Sequence, residues 1–208
     1  MTATSLRGGR ILEILAVLLL GVATVGTAWC AYQSSQWTGT QTELARAASD
    51  EGVEASRLFT LASQRIAYDS MLVTDYAQAR AEARDTLAQF YRQTLIRPSF
   101  LPVLDRWEAT LQNGGQPTNL LEDTAYLDAQ LADYRAAENR AKELTIRSAQ
   151  AGDYAEDYVI TTILLAVALF FAGVFSSFRF LPARVLLLLA AIVTIAIAAA
   201  RVAVLPVA

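Results

Sequence analysis

Apolar positions along this chain fall into three long runs and one periodic stretch between them. Residues 158–178 hold no charge, and neither do residues 185–200. The latter run reaches residue 205 once Arg201 is accepted within it. Residues 11–32 are interrupted only by Glu13. About 20 apolar residues cross the hydrocarbon core of a bilayer as a helix, and a helix satisfies its own backbone there. The pattern therefore predicts transmembrane helices at 11–32, 158–178 and 185–205, with residues 1–10 before the first and a short turn at 179–184 between the last two. A secretory signal is the competing reading of the first run, with Gly26 and Ala28 as small residues near a cut. The run is long for a signal, and Trp29 directly before Cys30 spoils a lipoprotein-type site, so an uncleaved anchor is expected.

Residues 33–157 read as helix almost throughout. Ala45, Gly52, Phe59, Ile66 and Val73 recur at heptad spacing, with Ala48, Ala55 and Ala62 as a companion set. Small residues in such an a/d pattern let helices approach closely. The pattern loses phase between Asp75 and Arg84, where the chain is expected to turn without a clear signal. A second helix should carry Leu87, Phe90, Tyr91 and Leu95 and end before Arg97-Pro98, because the residue ahead of proline resists helical geometry. Phe100, Leu104, Trp107 and Leu111 predict a short third helix. Residues 112–117 are the clearest loop, and Asn119 with Glu122 has the spacing of a capping box. The fourth helix carries Leu127, Tyr134, Ala141, Ser148 and Ala155, with Ala137, Leu144 and Ala151 between them. Glu138–Lys142 and Glu143–Arg147 are i,i+4 pairs on its outer side. Only Gly152 interrupts it before the second span. The predicted fold is an all-α membrane protein: three spans, with an extracytoplasmic antiparallel bundle of about four helices inserted between the first and second.

Charge adds an orientation. Arg7 and Arg10 flank one end of the first span, and Arg179 and Arg184 lie in the turn; Trp29, Tyr32, Trp37, Tyr154 and Tyr158 gather at the opposite ends. Arginine marks the cytoplasmic side and amphipathic aromatics the headgroup layer. The N-terminus is thus expected inside, with residues 33–157 and the C-terminus outside. Residues 33–157 carry 12 Arg and Lys against 19 Asp and Glu, and that acidic balance argues against nucleic acid as a partner. Lys142 is the only lysine among many arginines and alanines, a bias that suggests a GC-rich bacterial genome; with the three spans, the expected location is a bacterial cytoplasmic (inner) membrane.

Candidate chemistry is sparse. The chain has no histidine and one cysteine, Cys30. Histidine-dependent nucleophile systems and intrachain disulfides are thereby excluded, and thiolate metal sites with them. Gly114-Gly115 lacks the lysine and helix context of a phosphate loop. Asp69 and Asp75 are expected to be solvated charges rather than a catalytic pair. Asp153, Glu156 and Asp157 are expected to form an acidic collar, with a divalent-cation site as the alternative. Glu13 and Arg201 lie within apolar runs, close to span ends, and are expected to reach outward rather than line an ion path. Arg201 should meet Glu156, Asp157 or a lipid phosphate, and Glu13 should meet Arg10, Arg179 or Arg184. No catalytic, cofactor-binding or metal residue is assigned, and no enzyme activity is expected.

Thr27-Ala28-Trp29-Cys30-Ala31-Tyr32-Gln33-Ser34-Ser35-Gln36-Trp37 carries a resemblance, together with Arg97-Pro98-Ser99-Phe100, Trp107 and Asp157-Tyr158-Val159 leading into Leu169-Phe170-Phe171-Ala172-Gly173. In these the chain resembles a group of small bacterial three-span membrane proteins of unassigned function. The resemblance implies a helical outer domain and no reaction. Three functional classes follow. The favoured one is a structural or interaction protein of the cell envelope, bound to the lipid bilayer and to a protein partner or to further copies of itself. The first alternative is an extracytoplasmic sensor or ligand-binding module that signals through a partner; the second is a transporter or channel subunit. Residues 98–118, the least regular part, form the expected recognition surface.

Overall fold

A computed structural model describes residues 3–115, 123–178 and 180–208, with side chains from residue 11 onward. Every regular element among them is a helix: α1 (Ala3–Ala81), α2 (Asp85–Phe90) continuing as a π-turn (Tyr91–Leu95), α3 (Leu101–Gln112), α4 (Thr124–Val174) with a 3-10 turn at Phe175–Ser177, and α5 (Leu181–Val202). Three of these helices contain stretches long and apolar enough to cross a membrane. The chain itself buries only 11, 28 and 17% of those stretches, in chain order. So much exposed apolar surface is uncommon on a soluble monomer.

The chain divides into two compact units, Met1–Arg46 with Leu144–Ala208, and Ala47–Glu143. In the first, small residues sit where helices meet: Ala23, Ala168, Ala191 and Ala198 are fully or almost fully buried. A Cβ on Gly26 would come within 3.1 Å of Leu165. Small residues at such contacts let the helix backbones approach closely. Gly152, which interrupts the helical pattern of the sequence, has the same explanation, since a Cβ there would strike the Gln41 amide at 2.7 Å. Ser148 Oγ donates to the Gln41 carbonyl at 2.9 Å, and Ser34 Oγ to the Ala155 carbonyl at 3.1 Å, tying α1 to α4.

The second unit has its own core of Leu72, Val73, Tyr76, Ala79, Ala88, Ile96, Phe100, Val103, Leu104 and Tyr126. Its long helices meet along Ala48, Ala55, Ala62, Asp69 and Tyr76 of α1, all buried or half-buried at seven-residue intervals. The other expected set fits in part: Ala45 and Phe59 are exposed, Gly52 and Ile66 half-buried and Val73 buried. Phe59 packs its ring 5.3 Å from Tyr134 at the rim.

Helix ends follow local chemistry. α1 stops in a Schellman motif: Arg84 N–H donates to the Ala79 carbonyl at 2.9 Å and Ala83 N–H to that of Arg80 at 3.2 Å. Ala83 takes the left-handed conformation, φ 55°, that glycine usually supplies. The turn therefore lies at 82–84, the end of the interval where the periodicity fails. α3 ends in the same motif around Gly114, φ 72°, with Gly115 N–H on Thr110 and Gly114 N–H on Leu111. Helix geometry ceases at Leu95, two residues before Arg97-Pro98 as expected, but the last turn is π-helical, with Ile96 N–H on the Tyr91 carbonyl at 2.9 Å. That register buries Ile96 and leaves Phe90 half-exposed, which corrects the expected inner face. The capping box expected at Asn119 and Glu122 lies outside the described residues. The cap in view is Asp123, whose Oδ1 accepts the Tyr126 N–H at 2.9 Å. α5 begins at Leu181, inside the segment expected as turn, because Pro182 suits the first helical positions.

Candidate functional site

Among the described residues, polar side chains converge in both units. The deepest is Asp69, a carboxylate 2% exposed on the buried stripe of α1. Arg97, delivered by the extended residues after the π-turn, donates from Nε to Asp69 Oδ1 at 3.0 Å and from Nη2 to Oδ2. Tyr126, in the first turn of α4, donates its hydroxyl to the same Oδ2 at 2.6 Å. The Tyr126 ring meets Phe100 edge-on at 5.0 Å. Hydrogen bonding to Asp69 holds the Arg97 guanidinium above its ordinary range. Burial, and then the hydrogen bond to Asp69, raise Tyr126. Asp69 is thus no solvated charge. It is a fully partnered anion linking α1, α4 and the segment before Pro98. The heptad carried the missed signal: at the interval set by Ala48, Ala55 and Ala62, the next position is an aspartate.

The second convergence is a cleft of about 400 Å³ between the end of α1 and the outer half of α3. Ala77, Ala81, Tyr76, Trp107 and Leu111 give it apolar lining, and Arg80, Glu108 and Gln112 polar lining. Tyr76 donates its hydroxyl to Glu108, whose other oxygen accepts Arg92 Nη1 at 2.9 Å; Arg92 also pairs with Asp105. Burial and the Glu108 contact raise the Tyr76 hydroxyl above its usual value. The residues expected on α3 divide accordingly: Phe100 and Leu104 are core, Trp107 is half-buried, and Leu111 is exposed in the cleft.

In the apolar unit, Arg201 Nη2 bonds Asp157 Oδ1 at 2.6 Å, one of the partners expected for it. Glu13 pairs with Arg184 across 3.2 Å, also as expected, and the Arg184 guanidinium lies 4.4 Å above the Phe175 ring. The buried Arg184 Nε has no hydrogen-bond partner. The side chains of Arg7, Arg10 and Arg179 lie outside the described residues. Tyr158 is fully buried and donates to the Pro206 carbonyl at 3.1 Å. Trp37 Nε1 donates to the same carbonyl at 3.1 Å, and the buried Gln33 Oε1 accepts the Ala208 N–H at 2.9 Å. The segment after α5 is thereby tied to α1 and α4. Trp29 and Tyr32 remain exposed, 6.1 Å apart.

Among the described residues, no group of three or more histidine, cysteine or acidic side chains is placed to hold a metal ion. Comparison with protein-family models, with curated proteins and with solved structures finds no match, so the functional reading rests on this geometry.

Proposed function

We propose that this chain is an integral protein of a bacterial cytoplasmic membrane that acts through contacts between its helical unit and other proteins. In this reading the bilayer covers the apolar stretches of α1, α4 and α5. The N-terminus lies inside, and residues 33–157 form an extracytoplasmic bundle between the first two spans. The observation that carries the reading is the state of the polar core. Asp69, Arg97 and Tyr126 converge as a ligand site would require, yet each is consumed by the others. A binding pocket needs convergent polar groups that are free. With the interior occupied, the surface is left to do the work, and no reaction is assigned.

Extraction of the full chain in mild detergent tests this. A stoichiometric protein partner, or a discrete homo-oligomer, is the expected result. A lone monomer that one metabolite stabilises in a saturable, dose-dependent way overturns it in favour of a sensor. Orientation is checked by reporter fusions: a reporter active only in the cytoplasm should work at Pro182 and fail at Gly115.

A further inference from the structure

Resting on that interaction reading, the geometry points to the α1–α3 cleft as the docking site for a partner segment that presents an apolar side chain beside a carboxylate. Three features support this. Ala77, Ala81, Trp107, Leu111 and Tyr76 give the cleft a mainly apolar lining, and its volume of about 400 Å³ has room for an apolar side chain.

The wall is also pre-organised. Glu108 is committed on both oxygens, to Tyr76 and to Arg92, so its charge is compensated and the side chain does not have to be ordered on binding.

Arg80 at the margin supplies the complementary charge. One nitrogen, Nη1, meets Asp85 at 2.9 Å, in a pair where both side chains are more than half exposed. Exposed pairs of this kind hold by about 0–1 kcal/mol, so an incoming carboxylate can replace Asp85. The remaining donors of the guanidinium fork suit a carboxylate in two-point contact. Asp85 is in effect an internal stand-in for the acidic residue of the partner.

The test uses the full chain in detergent and two blocked tetrapeptides, acetyl-Ala-Leu-Glu-Ala-amide and its glutamine counterpart, titrated against tryptophan fluorescence. Trp107→Phe identifies the signal arising in the cleft. The glutamate peptide should bind saturably and about five-fold more tightly than the glutamine peptide, an advantage that shrinks with added salt. Arg80→Gln should bring the two peptides within about two-fold of each other, whereas Asp85→Asn, by freeing Arg80, should tighten the glutamate peptide alone by about two-fold. Opposite signs for these variants separate docking from structure, because loss of the Arg80–Asp85 pair would act alike in both. Equal binding of the two peptides, or no saturable change that depends on Trp107, overturns the inference. The titration reads only the cleft and co-purification reads only partnership. A partner retained by Arg80→Gln together with failed titrations sinks the cleft and leaves the interaction reading standing; the absence of any partner or oligomer from the unmutated chain sinks that reading.

Discussion

Asp69 and Glu13 are both carboxylates on α1 that meet an arginine from a later element, and they do so under opposite conditions. Asp69 is 2% exposed and receives three hydrogen bonds, two from Arg97 and one from Tyr126. The Glu13 side chain is 63% exposed and receives one, at 3.2 Å from Arg184. In the helical unit, burial has removed water from Asp69, and the protein must replace the bonds that water made to it. In the apolar unit the protein leaves the carboxylate largely uncovered, and the arginine, itself 18% exposed, rests on the Phe175 ring with its Nε unpaired. The first pair specifies how three segments fit. The second lies near the end of an apolar stretch. The same chemistry, Arg with carboxylate, is enclosed and structural in one unit and only half-enclosed in the other, and what the protein packs around the carboxylate makes the difference.

The largest effect should come from breaking the buried pair on one side only. Arg97→Leu leaves Asp69 as an uncompensated buried anion and should destabilise residues 47–143 by about 3–5 kcal/mol, read as lost amide-exchange protection there in the solubilised full chain. Adding Asp69→Leu should recover most of that loss, because the desolvated charge goes with it. A double variant as unstable as the single one would mean that packing, rather than charge, governs this region. Tyr126→Phe, which deletes one hydrogen bond to the anion and keeps the ring on Phe100, should cost about 2 kcal/mol by the same measurement.

The two Schellman turns sharpen the comparison within one unit. Ala83→Gly relieves a left-handed alanine and should raise stability by about 1 kcal/mol, while Gly114→Ala creates the same strain and should lower it by a similar amount. Thermal unfolding followed by circular dichroism is sufficient, and shifts of the same sign would refute the assignment. The smallest effect belongs to the exposed pair. A double-mutant cycle on Glu13→Gln and Arg184→Gln should give a coupling of about 0.5 kcal/mol. Arg184→Glu should destabilise further and be partly rescued by Glu13→Arg. A coupling as large as that between Asp69 and Arg97 would erase the contrast between the units.

Legibility in the sequence tracks how local each feature is. The three apolar stretches, the all-helical class, the break before Pro98 and the close of α3 at Gly114 depend on composition, period and single residues, so they could be read directly. The ion-pair partners of Glu13 and Arg201 were readable too, since helical rise and run length place both near the ends of apolar stretches. Features that depend on distant residues were not. The turn at Ala83 carries no glycine, and its strain is tolerated because the neighbouring Tyr76, Ala79 and Ala88 pack into one core. Asp69 looked like any surface carboxylate until Arg97 and Tyr126, 28 and 57 residues away, were brought to it. The cleft likewise needs α1 and α3 side by side, because no run of residues contains both Arg80 and Trp107. Sequence alone determined which segments are helical and which surfaces are apolar, because hydrogen-bond pattern and hydrophobic period act over one or two turns. The tertiary structure decided which charges lose their water and which small residues leave a hollow, because both depend on what a distant part of the chain sets against them.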